Sequence, residues 1–225
     1  MTAGYGDVFA QWRDGCREVW SAYTTHEFVA RLGDGTLPRD AFLRYLRQDY
    51  VFLVHFSRAW ALAVVKAGNL EEMKMAASLV STLINEEMKL HVGVCAAVGI
   101  DADELEQTVE LPQNTAYTRY VLEAGFSGDF LDLMAALAPC VMGYGEIGVT
   151  LKAYHTSGAY RNWIDAYAQP EYQQLCVDLG SLIDKAVKDR LSGDYRQTGK
   201  WTQLTRHFEI ATALECDFWD MGLHG

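Results

Sequence analysis

No CxxC pair occurs in the sequence, and its five cysteines, Cys16, Cys95, Cys140, Cys176 and Cys216, are an odd number on a chain of 225 residues. A chain of that size needs no disulfide framework, so the cysteines read as reduced thiols of a cytoplasmic protein. Basic runs are missing too. The 19 Lys and Arg stand against 30 Asp and Glu, a formal charge of −11, which disfavours nucleic acid and anionic membranes as partners. Unbroken apolar runs of about 18 residues, the length that spans a bilayer, are absent. The opening stretch MTAGYGDVFAQWRDGC is acidic and interrupted by charges rather than basic and then apolar. Neither a membrane span nor a secretion signal is expected. Strand signals are also lacking: no Val/Ile/Thr-rich alternation lies between turn residues.

What is present is a large apolar fraction, 50% of residues, recurring at three- and four-residue spacing between only four prolines. This predicts a nearly all-helical chain. Helices are expected at 7–31, ending at Gly33-Asp34-Gly35, and from Pro38 to about Ala67. Another is expected at 71–98, stopping at Gly99, and one at 114–124, closing at Gly125. A fifth is capped near Asp129, and two more lie near 159–191 and 201–222. Residues 101–113 read as an acidic connection with a short helical turn. Proline just inside a helix start and glycine past an end follow the usual asymmetry. With no linker, repeat or low-complexity tract, residues 1–225 read as a single all-α domain.

Three groups of residues draw notice. In "ALAPCVMGYGEIGVTLKAY", Pro139 removes a hydrogen bond to the Ala135 carbonyl and crowds it, so the helix should kink or restart. A restart would place Cys140 near a helix N-terminus, where a thiolate is favoured. Alternatively Cys140 is a small buried hydrophobe. Tyr144 follows one turn later, between Gly143 and Gly145, whose lack of side chains allows another helix or a flat ligand to approach. Second, Asp49 sits between Tyr45 and Phe52, and Glu215 beside Phe218 and Trp219. An acid on an aromatic face is either paired at the core's edge or used chemically. Third, Glu87 and His91 have the i, i+4 spacing of metal ligands. A di-iron bundle needs a matching acid-histidine pair. Glu215 lacks one, and His55, His155 and His207 have no acidic partner at helical spacing, so no metal is expected.

The ordered set "YLRQDYVFLVHFSRAWALA", "NTAYTRYVLEA", "CVMGYGEIG" and "ALECDFW" resembles the TenA family of thiaminase II enzymes along almost the whole chain. The resemblance implies a heme-oxygenase-like helical bundle, a homotetramer, and no cofactor. It implies hydrolysis at the methylene carbon of a 4-amino-2-methylpyrimidine. The substrate is then an aminomethyl-pyrimidine from degraded thiamin, or thiamin itself. By the same resemblance Cys140 looks like the nucleophile and Glu215 like the acid/base serving the pyrimidine. Asp49 looks like the carboxylate holding the aminopyrimidine edge, and Phe52, Tyr117, Tyr144 and Tyr167 like aromatic walls. Met142 departs from the pattern, since the family commonly has an aromatic residue there. An ordinary thiol has a pKa near 8.5, so the nucleophile needs activation. A carboxylate base or the helix start at Pro139 would provide it. Two other readings stay open: an oxygenase, di-iron or cofactorless, on the same fold, and a non-catalytic pyrimidine-binding regulator.

Overall fold

The computed structural model describes residues 4–154 and 158–225. Among the described residues it is helical with no strand. The α-helices are α1 (Asp7–Gly15), α2 (Arg17–Thr24), α3 (Glu27–Asp34), α4 (Arg39–Lys66), α5 (Leu70–Thr82), α6 (Met88–Ala96), α7 (Ala102–Glu106), α8 (Pro112–Ser127), α9 (Phe130–Tyr154), α10 (Arg161–Ala168), α11 (Pro170–Arg190) and α12 (Gly199–His224). A π-helical turn, Leu83–Glu87, joins α5 to α6, and a 3₁₀ turn, Tyr195–Gln197, precedes α12.

Two compact units result. The first takes the chain up to Leu37 together with Met134–Cys216, and the second takes Pro38–Leu133 with Asp217–Gly225. In the first unit α1 packs on α2 and α11, and α10 on α11. Its aromatic core joins Phe9, Trp12, Trp20 and Phe208, with Phe9 and Trp20 edge to face at 5.4 Å. In the second unit α4 is the hub for α5, α6, α7 and α8. The Arg44 side chain donates to the carbonyls of Met221, Gly222 and Leu223, satisfying the open C-terminal end of α12.

Several starts and stops follow local chemistry. Asp129 caps α9 by accepting from the Leu131 N–H at 2.8 Å, and Asn69 and Asp101 do the same for Glu72 and Glu104. The expected helix over 7–31 is instead three helices, broken at Cys16 and around Thr25. Periodicity hides the first break, because Trp12, Cys16 and Trp20 keep four-residue spacing and all are buried. Likewise 159–191 divides before Pro170, and α8 runs past Gly125 to Ser127.

Pro139 neither ends nor restarts α9, which is continuous from Phe130 to Tyr154. The local preference to break is overridden by burial of nearly every side chain around it. This helix is also long and apolar enough on average to cross a membrane, although no unbroken apolar run marks it. Its most apolar window is 94% buried within the protein, as in a core helix.

The first helix has no cap of its own, since Gly6 precedes it with φ of 99°. Its open N–H groups go to α11: Asp184 accepts from the Asp7 and Val8 amides at 2.8 and 2.7 Å. A Cβ at Gly180 would overlap the Tyr5 carbonyl, so the close approach of the two segments requires glycine there. Replacing Asp184 by alanine is expected to lower stability by about 1–2 kcal/mol, the usual cost of losing a cap. An unchanged urea midpoint would refute this.

Candidate active site

Cys140 stands out on α9. From Phe130 to Gly148 every residue is buried except Cys140 and Glu146, which are half-buried. Glu146 is accounted for by an ion pair with Arg13 and a 2.9 Å hydrogen bond from the Trp20 indole. Cys140 is thus the accessible point of an otherwise buried stretch. The other thiols differ. Burial, reinforced by the Glu209 charge, pushes Cys16 up to about 11. Burial and Glu146 push Cys176 up to about 12. Burial raises Cys95 as well, and Cys216 is half-buried. The expected help from a helix start is withdrawn, because Cys140 lies in the interior of α9.

One turn on, Tyr144 packs edge to face on Tyr167 at 4.9 Å and against Trp163 at 5.7 Å. Tyr172 adds to the group, 5.1 Å from Tyr167, and its hydroxyl donates to the Val141 carbonyl at 3.1 Å. Sequence reasoning missed Trp163 and Tyr172. Their signal was only the aromatic density of α10 and the start of α11. The glycines of α9 are approached by the protein's own groups. A Cβ at Gly143 would overlap the Tyr23 ring, one at Gly145 would come within 2.8 Å of Cys176 Sγ, and one at Gly148 within 2.7 Å of the Tyr167 backbone. Glu215, on α12, belongs to the same unit and is 1% exposed.

The second unit carries Asp49, Phe52 and Tyr117. Phe52 and Tyr117 face each other at 5.0 Å, and Phe218 meets Phe52 at 5.4 Å. The start of α8, which carries Tyr117, is fixed to α4 through Gln48. Its side chain donates to the Val109 carbonyl at 2.9 Å and accepts from the Leu111 amide at 3.0 Å, while Asn114 donates to its backbone carbonyl at 2.8 Å.

Asp49 is buried, 4% exposed, yet paired. Its Oδ2 accepts from the Tyr45 hydroxyl at 3.3 Å and lies 2.6 Å from His91 Nε2. Sequence spacing offered Glu87 and His91 as metal ligands. In the structure the imidazole faces Asp49, and among the described residues no group of three or more His, Cys, Asp or Glu is placed to hold a metal. His155 lies outside the described residues. Burial alone would push His91 down, but the Asp49 charge and hydrogen bond, with Glu87, outweigh it and raise the imidazole above its ordinary value. Burial raises Glu87 to about 7, with Asp49 and Glu86 adding to the effect and His91 opposing it.

Both shifts have one consequence for stability. Between about pH 4.5 and 7 the unfolded chain releases the Glu87 proton while the folded chain retains it, so folding weakens as pH rises. The His91 contribution, full below the ordinary imidazole pKa, is lost as pH rises through its raised value. Glu87→Gln mimics the protonated acid. Its melting temperature relative to wild type is therefore expected to climb from pH 5 to pH 8, by about 3–6 °C. A constant difference across that range would refute the assignment.

The sequence matches the family described as TENA/THI-4/PQQC over residues 13–225. It is 34% identical over 206 residues to a protein named aminopyrimidine aminohydrolase from Halalkalibacterium halodurans, covering 90% of this chain and 89% of the relative. The crystal structure of a TenA family transcription regulator from Silicibacter sp. TM1040 superposes with a TM-score of 0.98 at 53% identity, covering 100% of both chains. A domain with a heme oxygenase-like fold from Shewanella denitrificans, 13% identical, superposes with a TM-score of 0.71 over 94% of this chain and 90% of its own, a likeness of fold alone. A family match running from α1 to the last residue, on the helical architecture that its solved members share, makes this chain a member of the TENA/THI-4/PQQC family.

Proposed function

We propose that the protein is a thiamin-salvage hydrolase. It converts 4-amino-5-aminomethyl-2-methylpyrimidine and water to the hydroxymethyl-pyrimidine and ammonia, and thiamin and water to the same pyrimidine and the thiazole alcohol. The observation that carries this reading is the 34% identity, across nearly the full chain, to a relative named aminopyrimidine aminohydrolase.

The residues suit the chemistry. The thiolate of Cys140 adds to an electron-poor ring carbon, forming a C–S bond as the ring electrons move onto a nitrogen that Glu215 protonates. Return of those electrons expels ammonia from the aminomethyl group in its ammonium form, or the thiazole from the methylene. Water then adds at that carbon, the proton goes back to Glu215, and the C–S bond breaks to release the thiolate. The aromatic groups around Phe52 and Tyr117, and around Tyr144 and Tyr167, suit a flat heterocycle. Asp49 accepts the donor edge of the aminopyrimidine. Residues 1–225 act as one catalytic chain in the cytoplasm, assembled as a homotetramer. Exposed Val65, Leu70 and Phe126 are the kind of apolar surface an assembly covers.

The competing reading, a pyrimidine-binding regulator, is favoured by the description of the Silicibacter relative. Direct contact with DNA is disfavoured by the net charge of −11. Assay of purified protein for ammonia and hydroxymethyl-pyrimidine release, with thiamin in parallel, separates the two. Turnover supports the hydrolase; tight pyrimidine binding without release supports the regulator. Stoichiometric iron in a protein that releases neither product would point to the oxygenase.

A further inference from the structure

Asp49 presents its two oxygens unequally. Both contacts that the described residues make to its carboxylate, from the Tyr45 hydroxyl and from His91 Nε2, converge on Oδ2. His91 reaches it from α6, which packs against α4. Glu87, one turn earlier on the same stretch, is a second acidic neighbour of the imidazole. An imidazole 2.6 Å from one carboxylate and near a second acid is favoured in its charged form, in which both nitrogens carry protons.

The backbone explains how His91 arrives there. Leu83, Glu87, His91 and Cys95 follow one another in four-residue steps, and in a regular α-helix each such step drifts about 40° around the axis. The π-helical turn Leu83–Glu87 unwinds the helix locally, which keeps successive four-residue steps on one face. Such single turns inside α-helices are rare and occur frequently at functional sites. The charged groups that bear on this cluster are Glu86 and Glu87 from the turn and Asp49 from α4, with Arg47 and Glu104 near Cys95.

We infer that His91, seated by the π-turn and by Glu87, is the positioning residue for Asp49: it engages Oδ2 so that Oδ1 is the oxygen offered to the amino group of the pyrimidine. His91 does not touch the substrate. The inference rests on the role of Asp49 proposed above. It adds to that role a polarity of the carboxylate and a second residue that sets it.

The test uses steady-state kinetics on the aminomethyl-pyrimidine, from about pH 5.5 to 9, for wild type, Asp49→Asn, His91→Asn and His91→Gln. His91→Asn should raise KM about tenfold while kcat stays within about threefold, and should remove a limb of the kcat/KM profile that lies above the ordinary imidazole range. His91→Gln, whose longer amide reaches further toward Oδ2, should recover part of the KM. Nitrogen NMR of the wild-type imidazole, which requires no variant to fold, should show both His91 nitrogens protonated at pH 7. If Asp49→Asn leaves KM unchanged, the role of Asp49 fails and the inference falls with it. If Asp49→Asn raises KM while His91→Asn does not, the inference alone is overturned. A neutral His91 ring in wild type at pH 7 overturns it independently of either variant.

Discussion

Cys140→Ser is expected to lower kcat for ammonia release by about 10³-fold or more while the hydroxymethyl-pyrimidine still binds near its wild-type affinity. The reasoning starts from accessibility. Along α9 the chain buries every residue from Phe130 to Gly148 apart from the paired Glu146 and Cys140 itself. A serine hydroxyl fits the same space and leaves the aromatic groups intact, but it is far less acidic and less nucleophilic than a thiol, so the C–S step has no effective replacement. Cys216→Ser is the control: that thiol is half-buried and directed at the Thr212 carbonyl, and activity should persist. Ammonia release by Cys140→Ser within about threefold of wild type would remove covalent catalysis from the mechanism.

Glu215→Gln is expected to cost about 10²–10⁴ in kcat, the range in which a positioned acid/base acts. The residue is 1% exposed on α12, so little water reaches it to substitute for its proton. Glutamine keeps the shape and a hydrogen-bond donor but cannot exchange a proton with the ring. The distinguishing measurement is the division between kcat and KM. A loss confined to KM would make Glu215 a binding residue and leave the ring unprotonated in the addition step.

How far the sequence reveals these features differs from element to element. Pro38 before α4, Gly99 after α6 and Asp129 at the start of α9 are local signals, and the structure uses them. The break at Cys16 was invisible because the buried Trp12, Cys16 and Trp20 keep helical spacing through it. Pro139 misled in the opposite direction. Its local cost is real, but the packing of α9 decides the outcome. Of the candidate site, the thiol, the two acids and the aromatics stand out as residue types in an order that resembles a family's. The partner of His91 does not, because Asp49 lies 42 residues earlier on α4 and no helical spacing connects the two. Trp163 and Tyr172 were missed for a related reason, since their meeting with Tyr167 depends on the break between α10 and α11.

The division of the chain also bears on the order of synthesis. Helices α1–α3 leave the ribosome first, yet Asp184, which completes the start of α1, comes 177 residues after Asp7. The contiguous stretch Pro38–Leu133, by contrast, emerges with nearly all of its own unit and lacks only the last nine residues, 217–225. Loop closure of that length is slow relative to local pairing. The N-terminal helices therefore wait as an exposed, aromatic-rich segment until α11 is made. Nascent chains stalled before residue 170 should hold that segment open to chaperones, while the middle of the protein is already collapsing.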